Sequence, residues 1–339
     1  MIIKSIYYLK FKLKLHNSFN YGTKKISSKS GYYIIIMDEL GNASLGEASP
    51  LKEFSKESLK KVKQDLIQIK NELRIINLST DRYFDKNNIC ASVRFGIESA
   101  ILNLLIKRKE IKISPNKSVS VNAVVDLKSK NYILNNIKEL VVNKYSTVKI
   151  KIGRKNFSDD FEIIKSIKGV FGNKLKIRAD VNSSWNKRVA IKNINALNKF
   201  NLEYIEDPCK SLSDNFEVSK KSKTPIALDK PINNLATLRK LIKDKTINFL
   251  VIKPMIIGSV FELIKMIKLA NKKKIKIIIS SSFETKVGLK TLSMLSTFVN
   301  HNYAHGLSAS NYINNQKSQN ALNIICGKIK LSNLFTNAN

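Results

Sequence analysis

The chain has 339 residues, 43% of them hydrophobic, with 60 Lys and Arg against 26 Asp and Glu and a formal charge of +34. That length and apolar content exclude a disordered chain and exceed one small domain; a barrel of about 250 residues with a smaller companion fits. The charge admits nucleic acid or another anionic surface as a partner, but lysines recur along the whole chain, as at Lys60, Lys61, Lys63 and Lys272 to Lys274, rather than in one stripe.

The first element is a half-buried strand, because Leu9, Phe11, Leu13 and Leu15 alternate with Lys10, Lys12, Lys14 and His16. A polar loop is expected from His16 to Gly31, then a second strand over Tyr32–Met37 and a turn at Asp38–Gly41. Helical apolar spacing follows from about Ser55 to Leu73 and from about Ser92 to Lys107. Residues 1–110 therefore read as a separate α+β unit.

From Ser118 the pattern changes to short β-rich runs separated by helical segments. The runs are Val119–Leu127, Thr147–Ile152, Leu175–Val181, Leu202–Ile205, Pro225–Leu228, Asn248–Ile252, Lys274–Ser281 and Tyr303–Leu307. One helix is expected to begin at a Ser158 cap, carry Phe161, Ile164, Ile167 and Phe171 on one face, and stop at Gly172. Strands alternating with helices mean a parallel sheet, and eight repeats mean a closed (β/α)-barrel over 111–315. An open doubly wound sheet is the other topology, weakened by the lack of a glycine-rich loop after the first run. Residues 316–339 are expected to return and pack on the first unit.

Active sites of such barrels lie at the C-terminal ends of the strands. The second run ends Lys149-Ile150-Lys151, placing two lysines on one face. The third ends Asp180-Val181-Asn182, the fourth Glu206-Asp207-Pro208, the fifth at Asp229, the sixth Lys253-Pro254, and the seventh Ser280-Ser281-Ser282 followed by Glu284. The separations are regular: 26 residues from 180 to 206, 23 from 206 to 229, and 24 from 229 to 253. Scattered surface acids in so basic a chain would rarely keep that register. Three converging carboxylates repel one another unless a cation joins them. Hard oxygen donors favour Mg²⁺, with Mn²⁺ as a substitute, and without His or Cys in the set they disfavour zinc. A lysine whose pKa is lowered by burial and a neighbouring cation can remove a proton α to a carboxylate. The metal and a second cation would stabilise the enediolate.

These residues resemble the enolase superfamily, whose chemistry joins a Lys or His base to Mg²⁺. The resemblance covers nearly the whole chain, including Gly46-Glu47-Ala48-Ser49-Pro50 and the helix Phe95 to Leu105. Lys149-x-Lys151 and the lone Lys253 resemble the muconate-lactonizing-enzyme-like branch. Arg178-Ala179-Asp180-Val181-Asn182 with Trp185, Glu206-Asp207-Pro208-Cys209, Ser280 to Glu284, and Gly306 in His305-Gly306-Leu307 are most similar to the o-succinylbenzoate synthase family. That resemblance implies a modified TIM barrel with an N-terminal α+β capping domain, and Asp180, Glu206 and Asp229 as ligands of Mg²⁺. It implies dehydration of 2-succinyl-6-hydroxy-2,4-cyclohexadiene-1-carboxylate to 2-succinylbenzoate in menaquinone or phylloquinone biosynthesis. Lys151 would be the base and, in a syn elimination, the acid; Lys253 the facing cation, or in some schemes the proton acceptor; Lys149 the group that lowers the pKa of Lys151. Arg178, Asn182, Ser280, Ser282 and Gly306 would contact substrate.

Three features depart from the family pattern. Lys230 follows Asp229 where an acid is usual, Ser308 follows Leu307 where an acid is frequent, and the loop over the substrate, His16 to Gly31, matches poorly. N-succinylamino-acid racemases and dipeptide epimerases of the same branch use the same two lysines. Dipeptide epimerases typically carry Asp-x-Asp where this chain has Ser308-Ala309-Ser310. A basic nucleic-acid-binding protein is the alternative of another class; it predicts a contiguous basic face and leaves the carboxylate register unexplained.

The expected partner is therefore a small-molecule carboxylate, with no specific nucleic acid and no membrane. Three sparse cysteines (Cys90, Cys209, Cys326), no apolar run of membrane-spanning length and an N-terminus unlike a signal peptide lead to an expected cytoplasmic location. The pattern sets no oligomeric state. Cys209 reads as a packed thiol, Trp185 as packing at the mouth, and the pair His301 and His305 as structural.

Overall fold

A computed structural model describes residues 1–21, 24–51, 54–72, 80–125, 128–244, 246–308 and 323–335. The first unit is an antiparallel sheet of β1 (Ile3–Tyr21), β2 (Lys24–Asp38) and β3 (Ala43–Ala48), in that order. Three helices accompany it: α1 (Leu59–Glu72), α2 (Thr80–Lys86) and α3 (Ala91–Lys107). The polar stretch expected to be a loop is instead the outer half of a hairpin, with Lys14 opposite Ser28, a register shift, and then Phe19 opposite Ile26; residues 22–23 lie outside the described set. Two strands can satisfy each other's backbone groups without an apolar face, so composition alone misreads such a segment.

The two faces of this hairpin have different partners. Ile6, Ile34 and Ile36 join Val62, Leu66, Val93 and Ile97 in a core between sheet and helices. The opposite face is open at Leu9, which is 64% exposed. Further along, that face closes on the barrel, where Leu15 meets Leu51 and Phe283. The alternation over Leu9–Leu15 thus marks one face correctly, but only its distal part is covered.

The barrel begins after β4 (Ser118–Ser120) with β5 (Ala123–Val125). It continues with β6 (Thr147–Lys151), β7 (Lys176–Asp180), β8 (Tyr204–Glu206), β9 (Ile226–Leu228), β10 (Phe249–Ile252) and β11 (Lys276–Ile279). These seven lie side by side in chain order, and every pair is parallel. The eighth run closes the ring: Gly306 pairs with Ser280, and His305 pairs with Val121. His305 donates its amide to Ser120 O at 2.7 Å, and Gly306 donates to Ile279 O at 2.8 Å. Closure at both edges rules out the open sheet.

Around the ring lie α4 (Lys130–Val142), α5 (Phe157–Phe171), α6 (Lys187–Leu197), α7 (Leu212–Lys221), α8 (Leu235–Asp244), α9 (Pro254–Ile257), α10 (Val260–Lys272) and α11 (Lys286–Ser296). The cap of α5 is Asn156, two residues before the expected Ser158, and Gly172 ends that helix as expected. No described helix is long and apolar enough to cross a membrane.

The described C-terminal residues depart from expectation. β12 (Ile324–Ile325) and β13 (Lys328–Lys330) form a small sheet with β4, followed by α12 (Ser332–Phe335). Ile329, Leu331 and Leu334 enter the barrel core, not the cap core. Pairing with β4 gives this segment a ladder and an apolar seat at the barrel's own edge.

Two buried carboxylates of the cap lock it to the barrel. Glu47 accepts the Thr285 hydroxyl at 2.6 Å and the Gly288 amide at 2.9 Å, at the start of α11. Glu98 accepts the Ser259 hydroxyl and the Phe261 amide, both at 3.0 Å, at the start of α10. Each satisfies orphan donors of a first helical turn and meets the positive end of the helix dipole. Within the cap, β3 lies against α3 because Gly46 has no side chain: a Cβ built there would lie 1.9 Å from Gly96 O.

Candidate active site at the barrel mouth

The register of the parallel strands sets the site in layers. Lys151 pairs with Asp180, which pairs with Glu206; one layer below, Lys149 pairs with Arg178, which pairs with Tyr204. Asp229 and Lys253 follow the ends of β9 and β10. The carboxylates of strands three, four and five therefore form an arc, with lysines on strands two and six at its ends. In a ring of eight, strands two and six stand opposite each other, so Lys151 and Lys253 face across the mouth.

Lys149 Nζ lies 2.9 Å from Asp180 Oδ2 and 2.8 Å from Glu206 Oε1. Burial alone would push this ammonium down, but Asp180 and Glu206 outweigh it and hold it well above the usual lysine range. Lys253 is paired with Asp229. Burial pushes the Glu206 carboxyl up to about 8; Lys149 opposes this, and the charges of Asp180, Asp229 and Asp207 add to it. Burial and the charge of Asp229 likewise raise Asp207 to about 6. So crowded a set of acids is strongly stabilised by added positive charge.

Oxygens of Glu206, Asp207 and Asp229 all lie within 4.8 Å of one another. Among the described residues Glu206 Oε2 is buried with no hydrogen-bond partner. This cluster takes in Asp207 in place of Asp180, the third expected ligand, whose Oδ2 shares Lys149 Nζ with Glu206; a hard divalent cation fits the Glu206 and Asp229 oxygens and would satisfy the unpaired one. Asp207 also shapes the backbone. Its two carboxylate oxygens accept the amides of Asp229 at 3.1 Å and Lys230 at 2.8 Å, fixing the end of the fifth strand. Its only mark in the sequence is its place beside a ligand candidate in an acid-poor chain. The Nζ of Lys230 reaches Asn182 O on the exposed rim at 2.7 Å.

The residues expected to meet substrate divide. Ser280 and Gly306 sit side by side at the closure of the barrel, and a Cβ on Gly306 would lie 2.8 Å from Ser280 Oγ. Asn182 stands at the rim with its amide on Asp180 Oδ1 at 3.1 Å. Arg178 does not reach the mouth: it is 0% exposed, its Nε donates to Glu203 at 2.6 Å, its Nη1 donates to Asn122 at 3.0 Å, and it lies over the Tyr204 ring. Ser282 is also 0% exposed, in the seam between cap and barrel, because β11 ends at Ile279 and the chain turns inward. His301, half-buried on the bend before the eighth run, stacks on the buried His305 with ring centroids 5.8 Å apart. Burial lowers both, so they are neutral packing groups. Trp185 packs edge-on against Phe157, and Cys209 is buried beside it. The close approach at Gly306 predicts that Gly306→Ala, which overpacks the site by about 1–3 kcal/mol, melts lower than the parent, and that adding Ser280→Gly recovers the loss.

A capped (β/α)-barrel with an acid arc between opposed lysines defines a class of metal-assisted enolate enzymes, and known proteins place the chain within it. The chain belongs to the enolase superfamily: the family model described as enolase C-terminal domain-like matches residues 133–334. A second model, described as MenC, N-terminal domain, matches residues 3–104, so within the superfamily the chain is like the o-succinylbenzoate synthases. It is 26% identical to the o-succinylbenzoate synthase of Aliivibrio salmonicida over 290 residues, 84% of this chain and 83% of that protein. It is 27% identical to the L-Ala-D/L-Glu epimerase of Francisella tularensis subsp. novicida over 215 residues, which is 61% of this chain and 60% of that protein. The fold matches dipeptide epimerase from Enterococcus faecalis with a TM-score of 0.86 at 20% identity, covering 97% of each chain. It matches MenC from Desulfotalea psychrophila with a TM-score of 0.81 at 18% identity, covering 97% of this chain and all of that one. The protein is an enzyme of this superfamily, whose members bind Mg²⁺.

Proposed function

We propose that the protein is an o-succinylbenzoate synthase, removing water from 2-succinyl-6-hydroxy-2,4-cyclohexadiene-1-carboxylate. The observation that carries this reading is the match of the N-terminal unit to the MenC model, over the part of the chain that closes on the mouth. Asp180, Glu206 and Asp229 would hold Mg²⁺, and the ion supplies Lewis-acid stabilisation of the enediolate when bound. Lys151, as the neutral amine, takes the proton α to the carboxylate. The electron pair enters the ring, the bond from carbon to hydroxyl breaks, and the same ammonium returns its proton to the departing oxygen, releasing water on the same face. Lys253 on the opposite strand faces the enediolate as a fixed cation. Leu15, Leu51 and Phe283, which pack together where the cap meets the barrel, would form an apolar roof for the ring, and the lysines would draw the carboxylate.

A second reading, epimerisation of an acylated amino acid or dipeptide, is favoured by the opposition of Lys151 and Lys253, because two bases on opposite faces are what proton removal and return require. The position after Leu307 is Ser308, not the acid frequent in such enzymes, and residues 309 and 310 lie outside the described set.

The deciding experiment follows aromatisation of the cyclohexadiene carboxylate by ultraviolet absorbance, with Mg²⁺ and with EDTA. Turnover that EDTA abolishes and Mg²⁺ restores is expected. Folded, Mg²⁺-loaded protein that leaves this compound intact but exchanges the α proton of N-succinylamino acids in D₂O would replace the synthase reading with the second one.

A further inference from the structure

Lys29 is an unusual residue for a stretch expected to be a polar loop: it is only 2% exposed. It stands opposite Leu13 on the face that closes on the barrel. Its Nζ donates to Ser49 O at 2.6 Å and to Ser282 O at 2.9 Å. The first acceptor belongs to the cap segment that follows β3 and leads to Leu51 and Phe54. The second lies two residues beyond Ser280, on the segment that leaves the seventh strand. One buried cation thus ties three pieces of chain, the hairpin, the segment after β3 and the mouth of the barrel.

Its surroundings are built for a charge. Glu284 accepts the Ser281 hydroxyl and the Ser282 amide, both at 2.6 Å, so it fixes the same turn whose carbonyl Lys29 holds. Glu47 accepts the Ser49 hydroxyl at 2.6 Å and anchors the other end. Burial pushes Lys29 down, and Glu284 and then Glu47 oppose it; burial pushes Glu284 up, opposed first by Lys29. A cation buried between two buried acids, all three bound to backbone or hydroxyl groups of the seam, orders that seam rather than merely filling it. The seam also leads to the chemistry. Phe54 lies 5.7 Å from Lys253 Nζ, and Ser280 touches Gly306 at the mouth.

We propose that Lys29 is a positioning residue of the active site: by holding Ser49 O and Ser282 O together, it sets the described part of the cap hairpin, with Leu51 and Phe54, at a fixed height above the reacting carbons. It touches no reacting atom, and its effect falls on how firmly substrate is held. The choice of assay substrate rests on the synthase reading; the clamp itself does not.

The test compares Lys29→Met, close in shape but neutral, with Lys29→Met/Glu284→Gln, which also removes the acid left without its cation. For Lys29→Met, KM should rise at least about tenfold with kcat within about threefold of the parent, the signature of lost binding rather than lost chemistry. Amide hydrogen exchange at residues 28–32 and 281–285 should speed up at least about tenfold, while amides at 148–150 and 177–179 stay protected. The double variant should regain thermal stability and keep the raised KM. An unchanged KM in folded Lys29→Met, or a KM restored in the double variant, overturns the proposal, because only the stranded charge would then have mattered. If the parent leaves the cyclohexadiene carboxylate unchanged, the synthase reading fails, and the exchange arm still decides: unaltered exchange at both segments overturns the clamp, and faster exchange confined to them supports it.

Discussion

Lys151→Ala is expected to lower kcat on the order of 10⁴-fold, the upper range for one general acid–base group, while the variant stays folded and binds Mg²⁺ as the parent does. The size follows from asking one side chain to take the proton and to give it back. The selectivity follows from place: Lys151 stands at the end of β6, one layer above the ion pairs of Lys149 with Asp180 and Glu206. Lys149→Met should behave differently, because it strips two buried carboxylates of their cation and so changes stability and metal affinity along with rate. Lys253→Ala separates the two functional readings. In a one-base elimination it removes a stabilising cation, a loss of about 10²–10³-fold by analogy with single oxyanion donors. In a two-base epimerisation it removes one of the bases, and the loss matches that of Lys151→Ala. The measurements are single-turnover rates, circular dichroism and calorimetric titration with Mg²⁺. Turnover by Lys151→Ala within tenfold of the parent sinks the assignment of the base.

The acid arc was readable because strand ends in a parallel barrel fall at near-constant intervals, and a basic chain makes acids in that register conspicuous. Barrel closure was readable as a count of runs, although the eighth is only two bridges, at His305 and Gly306. Less was visible where a residue's role depends on which chain segment lies above it. Lys29 looks like any of the chain's many lysines until the hairpin is folded over Ser282. Asp207 looks like a spare acid until its oxygens are seen on the amides of the next strand end. The stretch from 16 to 31 is polar in composition, and polarity does not separate a ribbon paired through its backbone from a loop. Ile329, Leu331 and Leu334 announce a buried segment but not which of two cores receives it.

Arg178 is where the resemblance and the geometry part most sharply, and its replacement is expected to have the largest effect on stability. As a substrate contact it would be dispensable to folding. Here the guanidinium is enclosed in the barrel, holding Glu203 at 2.6 Å and Asn122 at 3.0 Å, while the Glu203 side chain is only 5% exposed. Arg178→Met leaves that carboxylate with Lys176, a half-exposed cation at 3.7 Å, as its nearest counter-charge. Breaking one side of a buried pair costs about 3–5 kcal/mol, far more than the lost attraction, since the remaining charge keeps its desolvation. Denaturant unfolding of Arg178→Met should show that loss, and Arg178→Met/Glu203→Gln should recover most of it. The folded fraction of either variant should keep KM within about threefold of the parent, because the layer that carries Lys149 and Arg178 lies beneath the one that meets substrate. A variant of undiminished stability with KM raised more than about tenfold would return Arg178 to the substrate and require the strand end to open further than the hydrogen bonds to Glu203 and Asn122 allow.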